Sequence, residues 1–191
     1  MTDIKGLINR LTITKDISPA IITAITEKAR FNRYEALETI LSPGNYPTSI
    51  YYIQSGIIRG AFEGEKDRMT AWFQKEGELV IPPNLFNNSA GEEYVISVTK
   101  VEVLTIPFAH LMHIAEKYSE AASLMIMLSL EVSIAGRYRE SLLRLGSAKA
   151  RYNLMKIKEP YLTLQVPHYL IASYLNITKE TFSRIHKGLP Y

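Results

Sequence analysis

Residues 168–187 read HYLIASYLNITKETFSRIHK. Apolar residues fall at Ile171, Leu175, Ile177, Phe182 and Ile185, at the spacing of two short helices rather than one. Ala172 supplies the small residue that two steeply crossing helices need where they touch. Asn176 sits between the two periods, and asparagine tolerates the left-handed backbone of a tight turn. Thr178 can cap the second helix, and Glu180 suits the positive end of its dipole. The segment therefore reads as a helix-turn-helix. With Phe182 and Ile185 inward, Lys179, Glu180, Ser183, Arg184 and Lys187 point outward. Arginine can give two hydrogen bonds to guanine, glutamate can accept from cytosine, and lysine and serine suit phosphates or base edges.

The charge distribution agrees. The chain carries +3 overall, but residues 137–191 hold ten Lys/Arg against three Glu, +7, which leaves −4 for residues 1–136. A basic tail behind an acidic front points to a polyanion as partner of the tail. There is no cysteine in the 191 residues, which excludes disulfides, thiolate metal sites and thiol catalysis and fits a reducing compartment. The opening MTDIKGLINRLTITKD has no apolar signal core, and the apolar run Leu124–Leu130 is too short to span a bilayer and is followed by Glu131. The expectation is a cytoplasmic protein with no membrane partner.

Upstream, ISPAIITAITEKAR (17–30) predicts a helix with Ser18 as cap and Pro19 as its first residue. From 31 to 106, short β-branched and aromatic runs such as YYIQSGIIRGAF and VEVLTI alternate with turn signals such as SPGN and KEGE. That texture predicts an antiparallel β-roll or jelly roll. Helices are expected over about 108–117, 120–145, 147–158, 167–175 and 179–188, with YLTLQV (161–166) extended before the last two. The long helix is apolar on two sides, so it is expected to pack on its own domain and on a second copy, through Leu124, Leu128, Ala135, Tyr138 and Leu142. The fold class is α+β: a β-roll with flanking helices (1–118), a dimerisation helix (119–145) and a three-helix helix-turn-helix domain (146–191). Because the sequence stops at Tyr191, the last domain is expected to lack a full wing.

This order of parts resembles the Crp/Fnr family of bacterial transcription regulators. The likeness rests on IASYLNITKETFSRI with its Glu-x-x-Ser-Arg at Glu180, Ser183 and Arg184, on YYIQSGIIRG, and on Gly77-Glu78-Leu79. It implies a homodimer that contacts DNA through Thr178, Lys179, Glu180, Thr181, Ser183, Arg184 and Lys187, with bases read by Lys179, Glu180 and Arg184. It also implies RNA polymerase as a further partner and a small-molecule effector for the β-roll, with Gly77, Glu78, Leu79, Gly91 and Glu92 at the pocket. Members that bind cyclic nucleotides carry an Arg-Ser or Arg-Thr pair where this chain has Gly91-Glu92. A carboxylate at ~4 Å from a phosphate repels it by ~4 kcal/mol at an effective dielectric near 20, so cyclic AMP is not the expected ligand. His110 and His113 have metal-compatible spacing but no companion ligands, and no catalytic triad, paired carboxylate or phosphate loop is found. No cofactor and no enzymatic activity are expected. The alternative is a ligand sensor whose helix-turn-helix docks a protein.

Overall fold

The computed structural model describes residues 4–65 and 67–189. Two helices open the chain, α1 (Ile4–Thr14) and α2 (Pro19–Glu27), the second with Ser18 as its cap residue and Pro19 in its first turn. Among the described residues eight strands follow: β1 (Arg30–Tyr34), β2 (Thr39–Leu41), β3 (Ser49–Ser55), β4 (Ile57–Phe62), β5 (Met69–Lys75), β6 (Leu79–Val80), β7 (Tyr94–Ser97) and β8 (Val101–Pro107). The remaining helices are α3 (Phe108–Lys117), α4 (Ser119–Arg144), α5 (Ala148–Lys158), α6 (Leu162–Gln165), α7 (His168–Tyr174) and α8 (Lys179–His186).

The strands form two four-stranded sheets, ordered β1-β8-β3-β6 and β2-β7-β4-β5. Non-consecutive neighbours, with β8 antiparallel to both β1 and β3, make this the expected jelly-roll type of sheet pair. YYIQSGIIRGAF becomes two strands because Gly56 turns the chain at φ +91°. A Cβ there would lie 2.4 Å from the Lys100 carbonyl oxygen, so only glycine fits.

The chain divides into two compact units. The first comprises residues 1–61 and 73–132; the second comprises residues 62–72 and 133–191. The long helix is thus shared, whereas the sequence reading treats it as a separate element, and the tip of the β4–β5 hairpin belongs with the C-terminal helices. The core of the first unit is built by Leu7, Leu11, Ile17, Ile21 and Ile25 from the N-terminal helices, Ile50, Leu104 and Ile106 from the sheet, and Leu124 and Leu128 from α4.

Among the described residues, α4 is the one helix long and apolar enough, by length and composition, to cross a membrane. Its apolar character has a packing explanation. Leu124, Met125 and Leu128 are buried in the core, and Glu131, the charge that interrupts the run, is held by Arg10 of α1 and accepts from Thr14 Oγ1 at 3.1 Å.

One expected element differs. Residues 161–166 are not extended: α6 is a single helical turn in which Gln165 N–H donates to Tyr161 O and Val166 N–H to Leu162 O. Pro160 and Pro167 bracket it, Leu162 and Val166 are buried, and Leu164 is exposed. The alternating apolar pattern that suggests a strand has no strand partner here.

Candidate nucleic-acid interface

α7 and α8 are joined by a turn in which Asn176 has φ 51°, the left-handed geometry anticipated for that position. Asn176 N–H donates to Ser173 O and Ile177 N–H to Ala172 O, which closes the end of α7. Ala172 is 1% exposed, so a larger side chain would push the two helices apart. Arg151 of α5 clamps the turn: its Nε donates to Leu175 O at 2.9 Å, and its Nη1 donates to Leu145 O at 2.8 Å.

Thr178 caps α8, its Oγ1 accepting from Thr181 N–H at 3.1 Å. The backbone N–H of Glu180 itself, and after it the Thr178 hydroxyl, hold the Glu180 carboxyl below its ordinary range. Phe182 anchors the helix at 1% exposure, packed edge-on against Tyr152 and stacked near His186. With Phe182 inward, Thr178, Lys179, Glu180, Arg184 and Lys187 are exposed, while Thr181 and Ser183 are partly so. Lys179 Nζ lies 5.7 Å from the centre of the exposed Tyr169 ring on α7. Tyr169 thus joins this surface; no helical-period signal separates it, in sequence, from an ordinary solvent-facing residue.

The β-roll positions named from sequence divide. Gly77 (φ +84°) and Glu78 form the turn between β5 and β6, and Leu79 is buried opposite Tyr52. The Glu78 carboxylate accepts from Lys75 N–H at 2.9 Å, within its own turn, and burial raises its pKa. Gly91 spends both backbone groups on the Gly44–Asn45 loop: its N–H donates to Asn45 O and its carbonyl accepts from Gly44 N–H, each at 2.9 Å. Glu92 is exposed, and it is its neighbour Glu93 that is buried at 9% exposure. His110 binds Ala24 O at 2.7 Å through a ring nitrogen, which ties α3 to α2, and His113 is exposed. Among the described residues no group of three His, Cys, Asp or Glu side chains is placed to hold a metal.

Residues 31–118 match the cyclic nucleotide-binding domain family. Among solved structures, the chain is similar to FixK2 from Bradyrhizobium japonicum (TM-score 0.73, 18% identity, 84% of this chain and 83% of that one). It is also similar to the c-di-GMP responsive global regulator CLP of Xanthomonas campestris (TM-score 0.70, 19% identity, 90% and 91%). A third is a protein of the Crp/Fnr family from Eubacterium rectale (TM-score 0.72, 13% identity, 94% and 87%). No curated protein sequence matches the chain.

The chain has the Crp/Fnr fold.

Within the Crp/Fnr fold, the five α4 residues expected from sequence at a subunit interface divide by exposure. Leu124, Leu128 and Leu142 are 1%, 2% and 0% exposed, buried by their own chain. Ala135 is exposed, and Tyr138 is half-buried with its hydroxyl donating to Glu159 Oε2 at 2.8 Å. The open apolar stripe is instead Ile126 (62% exposed), Leu130 (50%) and Ile134 (65%), with Met127 beside it. The open stripe repeats every four residues, and the expected set follows the looser spacing of a helix face. Only the three-dimensional packing says which one the chain has already covered.

Proposed function

We propose that this chain is a homodimeric, sequence-specific DNA-binding regulator. The observation that carries the reading is α8: a helix pinned by Phe182, capped by Thr178, and showing Lys179, Glu180, Arg184 and Lys187 to solvent on one face. A helix so displayed fits the major groove, and two of them related by a two-fold axis fit half-sites about one turn, ~34 Å, apart. The two-fold pairs the Ile126–Leu130–Ile134 stripe of α4 with its copy. Lys179, Glu180 and Arg184 read bases; Thr178, Thr181, Ser183 and Lys187 serve the backbone. RNA polymerase is a further partner of such a regulator, and the chain acts in the cytoplasm.

The β-roll is a sensor or scaffold that does not take cyclic AMP. Glu78 is engaged in its own turn, and Gly91 N–H is already bonded to Asn45 O. An effector of another chemistry is compatible with this domain.

Selection of bound duplexes from random DNA by the purified chain tests the reading. A recovered inverted repeat is expected. Arg184→Ala should then abolish the preference among duplexes while leaving the dimer intact. Equal binding of Arg184→Ala to the selected duplex, at fixed salt, would count against Arg184 as a base reader.

A second reading is that the C-terminal unit docks a protein. It is favoured by Ile157 and Leu164, which are 75% and 82% exposed. Salt separates the two, because a DNA reader loses affinity steeply between about 50 and 200 mM salt and an apolar docking site does not.

A further inference from the structure

Four rings from three helices cluster around the buried side of α8. Phe182, 1% exposed, and His186 are one helical turn apart, so their side chains share that side. Tyr152 of α5, 5% exposed, packs edge-on against both, its ring centre 5.8 Å from that of Phe182 and 6.1 Å from that of His186. His168, the first residue of α7, completes the cluster: its ring centre lies 5.0 Å from Phe182 and 4.7 Å from His186. Two imidazoles from opposite ends of the helix-turn-helix are thus brought side by side.

His186 is held in orientation. Its ring stacks on Phe182, with centres 5.5 Å and planes 14° apart, and its Nδ1 lies 3.0 Å from the Tyr152 hydroxyl oxygen. With that oxygen accepting from Nδ1–H, Nε2 carries the lone pair left for a ligand. The His168 and His186 planes are 57° apart, so these two rings are inclined rather than stacked. Two imidazoles on one ion, with metal–nitrogen bonds of about 2.0–2.1 Å and about 90–110° between them, hold their ring centres roughly 4.5–5.2 Å apart. The observed 4.7 Å falls in that range. Both histidines are exposed, so solvent can reach an ion between them. Burial first, then His168 and Lys156, lowers the pKa of His186, and neutral imidazole is the form that ligates.

We propose that His168 and His186 form a two-histidine site for a borderline divalent cation such as zinc or nickel. Imidazole suits those ions, whereas magnesium and calcium take oxygen ligands. No third His, Cys, Asp or Glu among the described residues is placed to join the pair, so water completes the coordination. The positive charge of Lys156 acts against the cation. The ion is therefore exchangeable, unlike one in a closed four-ligand structural site. It joins the first residue of α7 to the last residue of α8, and it stabilises the folded chain by mass action. The site stands whether or not α8 reads DNA.

The test titrates the full chain with zinc chloride and, separately, with magnesium chloride, followed by thermal melting and by NMR of the histidine imidazoles. Zinc should raise the melting temperature and move the His168 and His186 signals together, leaving those of His110 and His113 in place; magnesium should do neither. His168→Gln and His186→Gln should each weaken zinc binding about 100-fold, because the second imidazole no longer adds its effective concentration to the first. His113→Gln, which changes an exposed histidine outside the cluster, should bind zinc as wild type does. Equal zinc binding by wild type and either cluster variant overturns the site. A magnesium response that matches the zinc response overturns it too. Should a cluster variant fail to fold, the wild-type NMR titration decides alone: paired shifts of His168 and His186 support the site, and shifts confined to His110 or His113, or no shift, overturn it.

Discussion

The long helix offers two candidate faces for a subunit interface, and one pair of substitutions separates them. Ile134 is 65% exposed on the open stripe of α4, and Leu128 is 2% exposed on the covered one. Burying a whole isoleucine side chain is worth about 1.5–3 kcal/mol. Two-thirds of an Ile134 side chain from each of two subunits therefore contributes about 2–4 kcal/mol to a symmetric dimer. Ile134→Asp forfeits that and sets two carboxylates near the two-fold axis, so the dimer dissociation constant should rise by about 30- to 1000-fold. Its melting temperature, measured where both forms are monomeric, should barely move, because a surface residue is being changed. Leu128→Ala does the reverse: it opens a cavity in the first unit and should cost about 2–5 kcal/mol of stability, with little effect on the dissociation constant of the chain that remains folded. Sedimentation velocity across a concentration series gives the constants, and calorimetry gives the melting temperatures. A dimer unchanged by Ile134→Asp but loosened by Leu128→Ala would refute the assignment of the stripes and return the interface to the residues read from sequence.

Three further outcomes follow from particular side chains. Tyr174→Phe and Tyr138→Phe each remove a phenol from the same Glu159 oxygen; a bond to a charged acceptor is worth about 1.5–3 kcal/mol, and a double-mutant cycle by denaturant unfolding should show a coupling of about 0.5 kcal/mol or more, whereas strict additivity would reduce the pair to independent contacts. Glu78 has its folded pKa raised, chiefly by burial, so its charge costs stability at neutral pH; Glu78→Gln should melt higher than wild type at pH 7, and the gap should close on acidification from the folded pKa down to the unfolded value of 4.5, a constant gap across that range being the contrary result. His186 has its pKa lowered, first by burial, then by His168 and Lys156; the unfolded chain therefore takes up the proton first, and the stability that a neutral His186 supplies above pH 6.5 should be lost as pH falls through the folded pKa, which histidine NMR titration beside thermal melts at each pH would check, an upward-shifted His186 being the refuting result.

How much of this was legible in the sequence depends on how local each cause is. The helix-turn-helix was legible because its requirements sit within twenty residues: a small residue at the crossing, a left-handed turn residue and a cap, met by Ala172, Asn176 and Thr178. α6 was not, because a four-residue apolar alternation looks the same whether or not a strand lies beside it, and the absence of a partner is a tertiary fact. α1 gave no expectation at all; its purpose emerges only when Leu7 and Leu11 enter the core and Arg10 meets Glu131, more than a hundred positions away. Glu92 and Glu93 show the limit most sharply. Adjacent side chains beside a strand face opposite ways, so a one-residue difference in register decides which carboxylate is buried.

The charge count of the tail needs the same correction, and it changes what the net +7 means. Arg139 Nη2 donates to Thr70 O, Arg151 donates to the carbonyls of Leu145 and Leu175, and Arg144 pairs with Glu140. Three of the ten basic residues are thus committed within the protein, and Arg151 is the one bonded to the turn of the helix-turn-helix. A guanidinium suits that work because its fork of donors can satisfy several carbonyls at once. The basic surplus of residues 137–191 is therefore partly architecture, and the share open to solvent includes Lys179, Arg184 and Lys187. Removing Arg151 would disturb the turn before it changed any long-range field, so the loss of DNA binding in such a variant is no measure of a phosphate contact.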